Sequence, residues 1–417
     1  MISRAGFERI VFIELPGEMA PVPAGLFSLD TDLGVGRFRY GNRYMERPNA
    51  IPLDPVNLPL VPREYQTRKN KGIFGPLCDL LPDSWGRFIL AKRHNLPFGT
   101  LRDHELLDLV STQSVGALTL GLTPEQPTTR REQPVSLADL GIVAEVIDRA
   151  MADAPLSPEI RYLLQQGTSL GGAQPKCAAR IDGEEWIAKF ASSKTLVRYP
   201  ALEFATMTLA RQAGITVPEI RLERIGGRAV YLVRRFDREH GRRLPFLSGF
   251  ALANLDIDEL EWGSYIELAT SMRTFVARVG EDLQQLFRRM AFNMHVRNQD
   301  DHLRNHGFLC GGKAGEWCLS PAYDLVPTPA RRQEPETFHL SLQAGTHGSE
   351  ASLVNLLSAH AAFGLRRPEA LEIIREVRAA VRNWESVLRE NGVSGPDIAS
   401  VRWCFEGFIA TQGELPG

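Results

Sequence analysis

The chain has 417 residues, with 48 Lys and Arg against 50 Asp and Glu and a hydrophobic content of 43%. That length predicts two or three domains, and the near-neutral balance excludes a whole-molecule positive field that would draw the protein onto nucleic acid or an acidic membrane. Five scattered cysteines with no C-x-x-C pair exclude a disulfide framework or a zinc ribbon and suit a reducing cytoplasm. The apolar stretch near the N-terminus, broken by Glu14 and Pro16, is too short for a secretory signal or a membrane span.

From Gly6 to about Pro62, short alternating apolar runs separated by Gly, Pro and Asn predict a small antiparallel sheet. Asp83 or Ser84 is placed to cap a helix in FGPLCDLLPDSWGRFILAKRH, and DHELLDLVS supplies another. LLPDSWGR reads equally as a helix cap with a packed Trp85 or as a specialised surface. TPEQPTTRREQP reads as a linker near residues 123–134. Beyond it, SLADLGIVAEVIDRAM is predicted helical. GTSLGGAQPKCAARIDGEEWIAKFA then reads as a glycine-bearing loop and a hairpin turning at Asp182-Gly183. The helix YPALEFATMTLARQAG stops at Gly214, and EIRLERIGGRAVYLVRRF is a second hairpin turning at Gly226-Gly227. After Asp237 the chain is expected to be mostly helical, with Leu283, Leu286, Phe287, Met290 and Met294 tracing one apolar stripe.

Directly behind that stripe stands HVRNQDDHLRNHGFLC, followed by SPAYDLVPT. Such polar groups are costly to bury unless paired or bound. Asp300 and Asn305 lie five positions apart, the interval of Asp and Asn in the protein-kinase catalytic loop, where Asp accepts the substrate hydroxyl proton and Asn holds magnesium. Asp324 would fill a second metal-holding position, and oxygen ligands of this kind suit Mg²⁺. Upstream, Lys189 in EWIAKF precedes a helix carrying Glu203, the relation of a phosphate-pairing lysine to the glutamate that steadies it.

These motifs, together with FGPLCDLLPDSWGR, TSLGGAQPK, YPALEF, YLVRRFDR, NQDDHLRN and YDLVPT in this order, resemble the HipA-like serine/threonine kinases of bacterial toxin-antitoxin systems. The resemblance covers nearly the whole chain. It implies an α+β fold: an N-terminal domain over residues 1–130, and a two-lobed protein-kinase-like core with a nucleotide-binding lobe at 131–236 and a largely helical lobe at 237–417, ATP lying between the lobes. It further implies Asp300 as catalytic base, Asn305 and Asp324 as magnesium ligands, and His302 and Tyr323 beside the nucleotide. Gly171, Gly172, Ala173, Gln174, Pro175 and Lys176 would form the loop over the phosphates, with Lys189 pairing them and Glu203 in support. Arg234, Arg235 and Phe236 match the hinge that takes adenine through its backbone, Asp237 is expected to reach the ribose, and Ser169 matches an autophosphorylated, inactivating serine. The implied partners are a helix-turn-helix antitoxin of HipB type, DNA only through that antitoxin, and a translation-related substrate such as an aminoacyl-tRNA synthetase.

The match has departures. GGAQPK is neither a Walker A sequence nor G-x-G-x-x-G, Arg234 puts a bulky cation at the hinge, and Asp324 is followed by Leu-Val where D-F-G has Phe-Gly. Two rival readings stand beside it. One is a metal-dependent hydrolase with His295, Asp300, Asp301 and His302 as ligands. The other is a catalytically idle partner that assists a repressor, its Arg331-Arg332 and Arg366-Arg367 pairs touching phosphates.

Overall fold

Alternation in GFERIVFI buries Phe7, Val11 and Ile13 and starts a five-stranded antiparallel sheet. Its order is Glu64–Thr67, Val35–Tyr40, Val22–Asp30, Gly6–Ile13, Leu118–Gly121. The computed structural model describes residues 6–152, 174–191, 197–311, 315–329 and 338–413. It divides into two units: Met1–Ser193 with Glu223–Ile257 and Phe308–Trp317, and Lys194–Leu222 with Asp258–Gly307 and Cys318–Gly417. Among the described residues no helix is long and apolar enough to cross a membrane.

In the first unit, the stretch expected as a linker is held in place. Thr128 and Thr129 N–H both donate to the Leu120 carbonyl at 2.8 and 3.1 Å, and Thr112 N–H donates to the Arg130 carbonyl at 2.8 Å. A second sheet follows, ordered Val135–Ser136, Lys176–Ile181, Glu184–Phe190, Arg228–Arg234, Ile220–Ile225. Both predicted hairpin turns are present. Asp182 and Gly183 have φ of 53° and 83°, and Gly226 and Gly227 have 57° and 79°, as a two-residue turn matched to twisted strands requires. Period-two alternation sorts this sheet into two faces. Cys177, Ala179, Ile181, Trp186, Ala188, Val230 and Leu232 pack into one core with Val143 and Ile147 of the helix Leu140–Met151 and with Trp85 and Ile89 of the helix Ser84–Arg93. The opposite face carries the lysines.

The second unit is built mainly from helices. The predicted stripe lies on Val279–His295, where Leu283, Leu286, Phe287, Met290 and Met294 are all buried. That helix packs against Tyr265–Met272, Arg367–Val381 and Gly395–Gln412. The helix Tyr199–Gln212 ends before Gly214, whose φ is 77°. The expectation of helix after Asp237 needs one correction. Arg238–Glu239 pairs antiparallel with Arg242–Arg243 around His240 and Gly241, both at positive φ, and Phe246–Ser248 is a further short strand.

Candidate active site

The nucleotide-side residues begin on the first unit's second sheet. Lys176 stands directly opposite Lys189, and Tyr231 directly opposite Lys189, on adjacent antiparallel strands. All three side chains therefore share a face. Lys176 is 5% exposed and Lys189 6%, and the Lys189 Nζ lies 5.8 Å from the Tyr231 ring centroid. By the same alternation Ala178, Ile187 and Val233 also line this face. Two buried lysines thus place positive charge on one face of this sheet. The strand that carries them is gripped from its core side, where the Trp85 indole N–H donates to the Lys176 carbonyl at 3.2 Å. Trp85 of LLPDSWGR is thus packed, and Asp83 stands at the helix N-cap without a side-chain capping bond. Before Lys176, the Pro175 carbonyl accepts from Phe190 N–H at 2.9 Å and Gln174 is half-buried. Ser169, Gly171, Gly172 and Ala173 lie outside the described residues.

In the segment expected to form the hinge, Arg234 pairs with Glu184 at 2.9 Å and Arg235 N–H donates to the Glu185 carbonyl at 2.9 Å. The Arg235 side chain turns inward. It donates to the Gln113 and Ser114 carbonyls at 2.9 and 3.2 Å and grips both oxygens of Asp237 at 2.9 and 2.7 Å. Arg238 adds a bond to Asp237 at 2.6 Å, and Gly116 N–H another at 2.9 Å. Asp237, expected to reach a ribose, is thus 3% exposed and engaged as an internal anchor between the hinge and the 112–116 segment. Burial alone would raise its pKa, but the two guanidiniums outweigh that and hold the carboxyl well below the ordinary carboxylate range.

The acceptor-side residues belong to the second unit. The helix Val279–His295 stops where Arg297 takes a φ of 51°. The following loop is fastened by Thr328 N–H to the Arg297 carbonyl at 2.9 Å, Gln299 N–H to Thr328 Oγ1 at 3.1 Å and Ser341 Oγ to the Gln299 carbonyl at 2.5 Å. Asp300 in this loop is exposed as a residue, although neighbouring protein partly covers its carboxyl. Its carboxyl pKa is raised, chiefly because the surrounding protein withdraws water. His302 opposes that shift, while Asp324 and Asp301 add to it. Asp324 is therefore close enough for its charge to bear on Asp300. Asn305 donates through Nδ2 to the Asp300 carbonyl at 2.9 Å. Tyr323, expected beside the nucleotide, donates its hydroxyl to the Arg304 carbonyl at 2.7 Å. This bond ties the residue before Asp324 to the residue before Asn305. Asp324 itself sits at φ 55°, a conformation uncommon for a non-glycine residue and often found at functional sites. Glu203, in the helix Tyr199–Gln212, is 3% exposed.

The ligand set of the rival hydrolase does not assemble. His295 is fully buried, with Nδ1 2.7 Å from the Ala291 carbonyl and its ring 4.5 Å from that of Phe408. Burial pulls its pKa down to about 4, so it is a neutral core histidine. Asp301 faces the interior and accepts from the Tyr265 hydroxyl. Among the described residues no group of three or more His, Cys, Asp or Glu is arranged to hold a metal. Of the basic pairs, Arg366 folds back on Glu369 to start a helix, and Arg331-Arg332 lies outside the described residues. Sequence reasoning missed Tyr265, Asn293, Asn298 and His306, which surround Asp301. Only the density of polar residues in the run hinted that some were structural.

Comparison with known proteins fits this geometry. Residues 168–384 match the model of the HipA-like C-terminal domain, and residues 19–121 match that of the HipA N-terminal domain. The chain belongs to the HipA family. Among HipA relatives, a Sinorhizobium fredii protein named "Putative kinase Y4mE" is 26% identical over 73% of this chain and 75% of its own length. A second from the same organism, "Putative kinase Y4dM", is 25% identical over 78% of each. A Haemophilus influenzae protein named "Putative kinase" is 27% identical over 43% of this chain and 57% of its own. The HipA fold is shared with HipA of Shewanella oneidensis MR-1, solved with HipB and operator DNA. The TM-score is 0.67 at 18% identity, covering 97% of this chain and 96% of that one.

Proposed function

We propose that this HipA-family protein is a serine/threonine protein kinase that transfers the γ-phosphoryl group of ATP to a protein hydroxyl. The observation that carries the reading is the pair Asp300 and Asp324. The two carboxylates stand close enough to interact electrostatically, and Asn305 and Tyr323 lock the two loops that bear them. Two carboxylates repel unless a proton or a cation lies with them, and the donors are the oxygens that magnesium prefers. Asn305 and Asp324 would hold Mg²⁺, which when bound offsets charge on the phosphate oxygens. Asp300 orients the acceptor hydroxyl and takes its proton. Lys176 and Lys189 would pair the phosphates, and Glu203 and His302 are the further residues that the family resemblance assigns to supporting roles. Ala178, Ile187 and Val233 offer adenine an apolar surface, and the backbone of Arg234 and Phe236 meets its edge. Since little covalent chemistry falls to the protein in phosphoryl transfer, positioning and charge stabilisation account for the rate.

The proposed regulatory site is Ser169, two positions before Gly171 in TSLGGAQPK. A phosphate there would add a doubly charged group beside the nucleotide. The partner is a helix-turn-helix antitoxin of HipB type, as in the Shewanella complex, with DNA reached through it, and the substrate is a translation component such as an aminoacyl-tRNA synthetase. The test is incubation of the purified protein with Mg-ATP followed by intact and peptide mass spectrometry, with Asp300→Ala as control. A phosphate on Ser169 in the wild type alone supports the reading. Nucleotide binding with no phosphorylation of the protein or of any synthetase offered to it would make the chain an idle partner.

A further inference from the structure

The roles assigned above leave the carboxylate next to the base unexplained. Asp301 is 1% exposed, and an ionised carboxylate in such a place is costly unless several donors meet it. The Tyr265 hydroxyl donates to Oδ2, while His306 Nε2, 3.1 Å from Oδ1, lacks hydrogen-bond geometry to it. Behind them, Asn293 Nδ2 donates to the Tyr265 oxygen at 3.1 Å, and Asn298 Nδ2 donates to Asn293 Oδ1 at 3.1 Å. The Tyr265 and His306 rings meet edge to face at 5.3 Å.

Tyr265 is itself fixed. It is the first residue of the helix Tyr265–Met272, whose N-terminus is capped by Ser264, and its N–H donates to the Gln343 carbonyl at 3.0 Å. Preceding it, Gly263 allows the backbone to approach the loop, since a Cβ there would lie 2.6 Å from Leu342 and 3.0 Å from Leu303. With Asp301 drawn into the interior, the adjacent Asp300 is turned outward. That opposition of consecutive side chains links the buried network to the reacting group.

We propose that Tyr265 is a positioning residue for phosphoryl transfer: its hydroxyl clamps Asp301 and thereby fixes the direction in which Asp300 presents its carboxylate. This rests on the reading of Asp300 as the base. Phenylalanine at 265 keeps the ring and removes only the donor to Asp301 and the acceptor for Asn293.

The test pairs kinetics with hydrogen exchange on the full chain, comparing wild type, Tyr265→Phe and Asp301→Asn. In Tyr265→Phe, kcat should fall by up to about 100-fold, as for a misplaced reacting group, while KM for ATP stays within about twofold. The amides of His302 and Asn305, bonded to the Asp300 and His302 carbonyls at 3.1 and 2.8 Å, should exchange about 10-fold faster, the scale of one lost hydrogen bond. Amides of Val279–His295 should keep their wild-type protection, which shows that the variant is folded. Asp301→Asn, which keeps the shape and loses the charge, should shift both readouts in the same direction by less. Unchanged loop exchange in both variants overturns the proposal, as does a raised KM with kcat intact. If the wild type transfers no phosphate, the kinase reading fails, and the exchange arm still decides whether the clamp exists.

Discussion

Lys176 and Lys189 face each other directly across two antiparallel strands, both buried, with the Tyr231 ring beside the second. In the proposed reaction both ammonium groups would meet the triphosphate. Lys189→Met removes one charged partner, worth about 1.5–3 kcal/mol. It should therefore weaken ATP binding by about 10- to 100-fold, measured by titration calorimetry. The rise in Tm that ATP gives the wild type by mass action should shrink in parallel.

Asp300 should titrate above an ordinary aspartate. Because a general base must be ionised, the acid limb of the kcat profile moves up with it, and activity falls as pH drops through that raised pKa. Asp324 is one cause of the rise. In the protein without nucleotide, Asp324→Asn should bring the Asp300 carboxyl, followed by ¹³C titration, down toward the ordinary aspartate value of 3.8. An unmoved titration would show that the two carboxylates do not interact.

Asp237 holds two buried guanidiniums and a backbone N–H. Asp237→Asn leaves Arg235 and Arg238 short of a counter-charge, a change that costs about 3–5 kcal/mol when a buried pair is broken, read by urea unfolding at pH 7. Its folded-state pKa is depressed, so the stability it contributes is present above the unfolded value of about 4 and is lost as pH falls through the folded one. The variant's curve should accordingly lie closer to the wild type's in acid.

Glu132 behaves in the opposite sense. Burial raises its carboxyl to about 7, outweighing the Ser111 hydroxyl and the Arg130 guanidinium; Arg93 and Arg130 approach it only to 3.7 and 3.8 Å. The folded state keeps its proton where the unfolded chain has lost it. Stability therefore declines as pH rises from about 4.5 to about 7 and is level above. Glu132→Gln should raise Tm at pH 8 and leave it nearly unchanged at pH 4.5. Equal shifts at both values would contradict this.

Local patterns carried much of the fold. Asp182-Gly183 and Gly226-Gly227 specify tight turns because both positions need positive φ, and the stripe from Leu283 to Met294 follows the helix period and is buried as read. One interval and one downstream motif singled out Asp300, Asn305 and Asp324, and in the structure Asn305 Nδ2 donates to the Asp300 carbonyl while the Asp324 charge bears on Asp300. What the sequence hid were long-range pairings. Nothing near Asp237 in YLVRRFDR announces that Gly116 and Gln113, more than a hundred residues earlier, close around it and Arg235. Tyr265 looks like any tyrosine until the chain brings it under Asp301. The stretch at residues 123–134 has a linker's composition, yet its threonine N–H groups are fixed by the Leu120 carbonyl.

The central claim is that Asp300, with Asn305 and Asp324, carries phosphoryl transfer from ATP. Its most direct test is single-turnover transfer of the γ-phosphate from labelled ATP in wild type, Asp300→Ala and Asp324→Asn, with nucleotide binding measured on the same samples. The wild type should transfer label to protein hydroxyls. Asp300→Ala should bind ATP normally and lose about 10²- to 10⁴-fold in rate, and Asp324→Asn should lose transfer with its dependence on added Mg²⁺. Undiminished transfer by Asp300→Ala, or none by a wild type that binds ATP, would contradict the account.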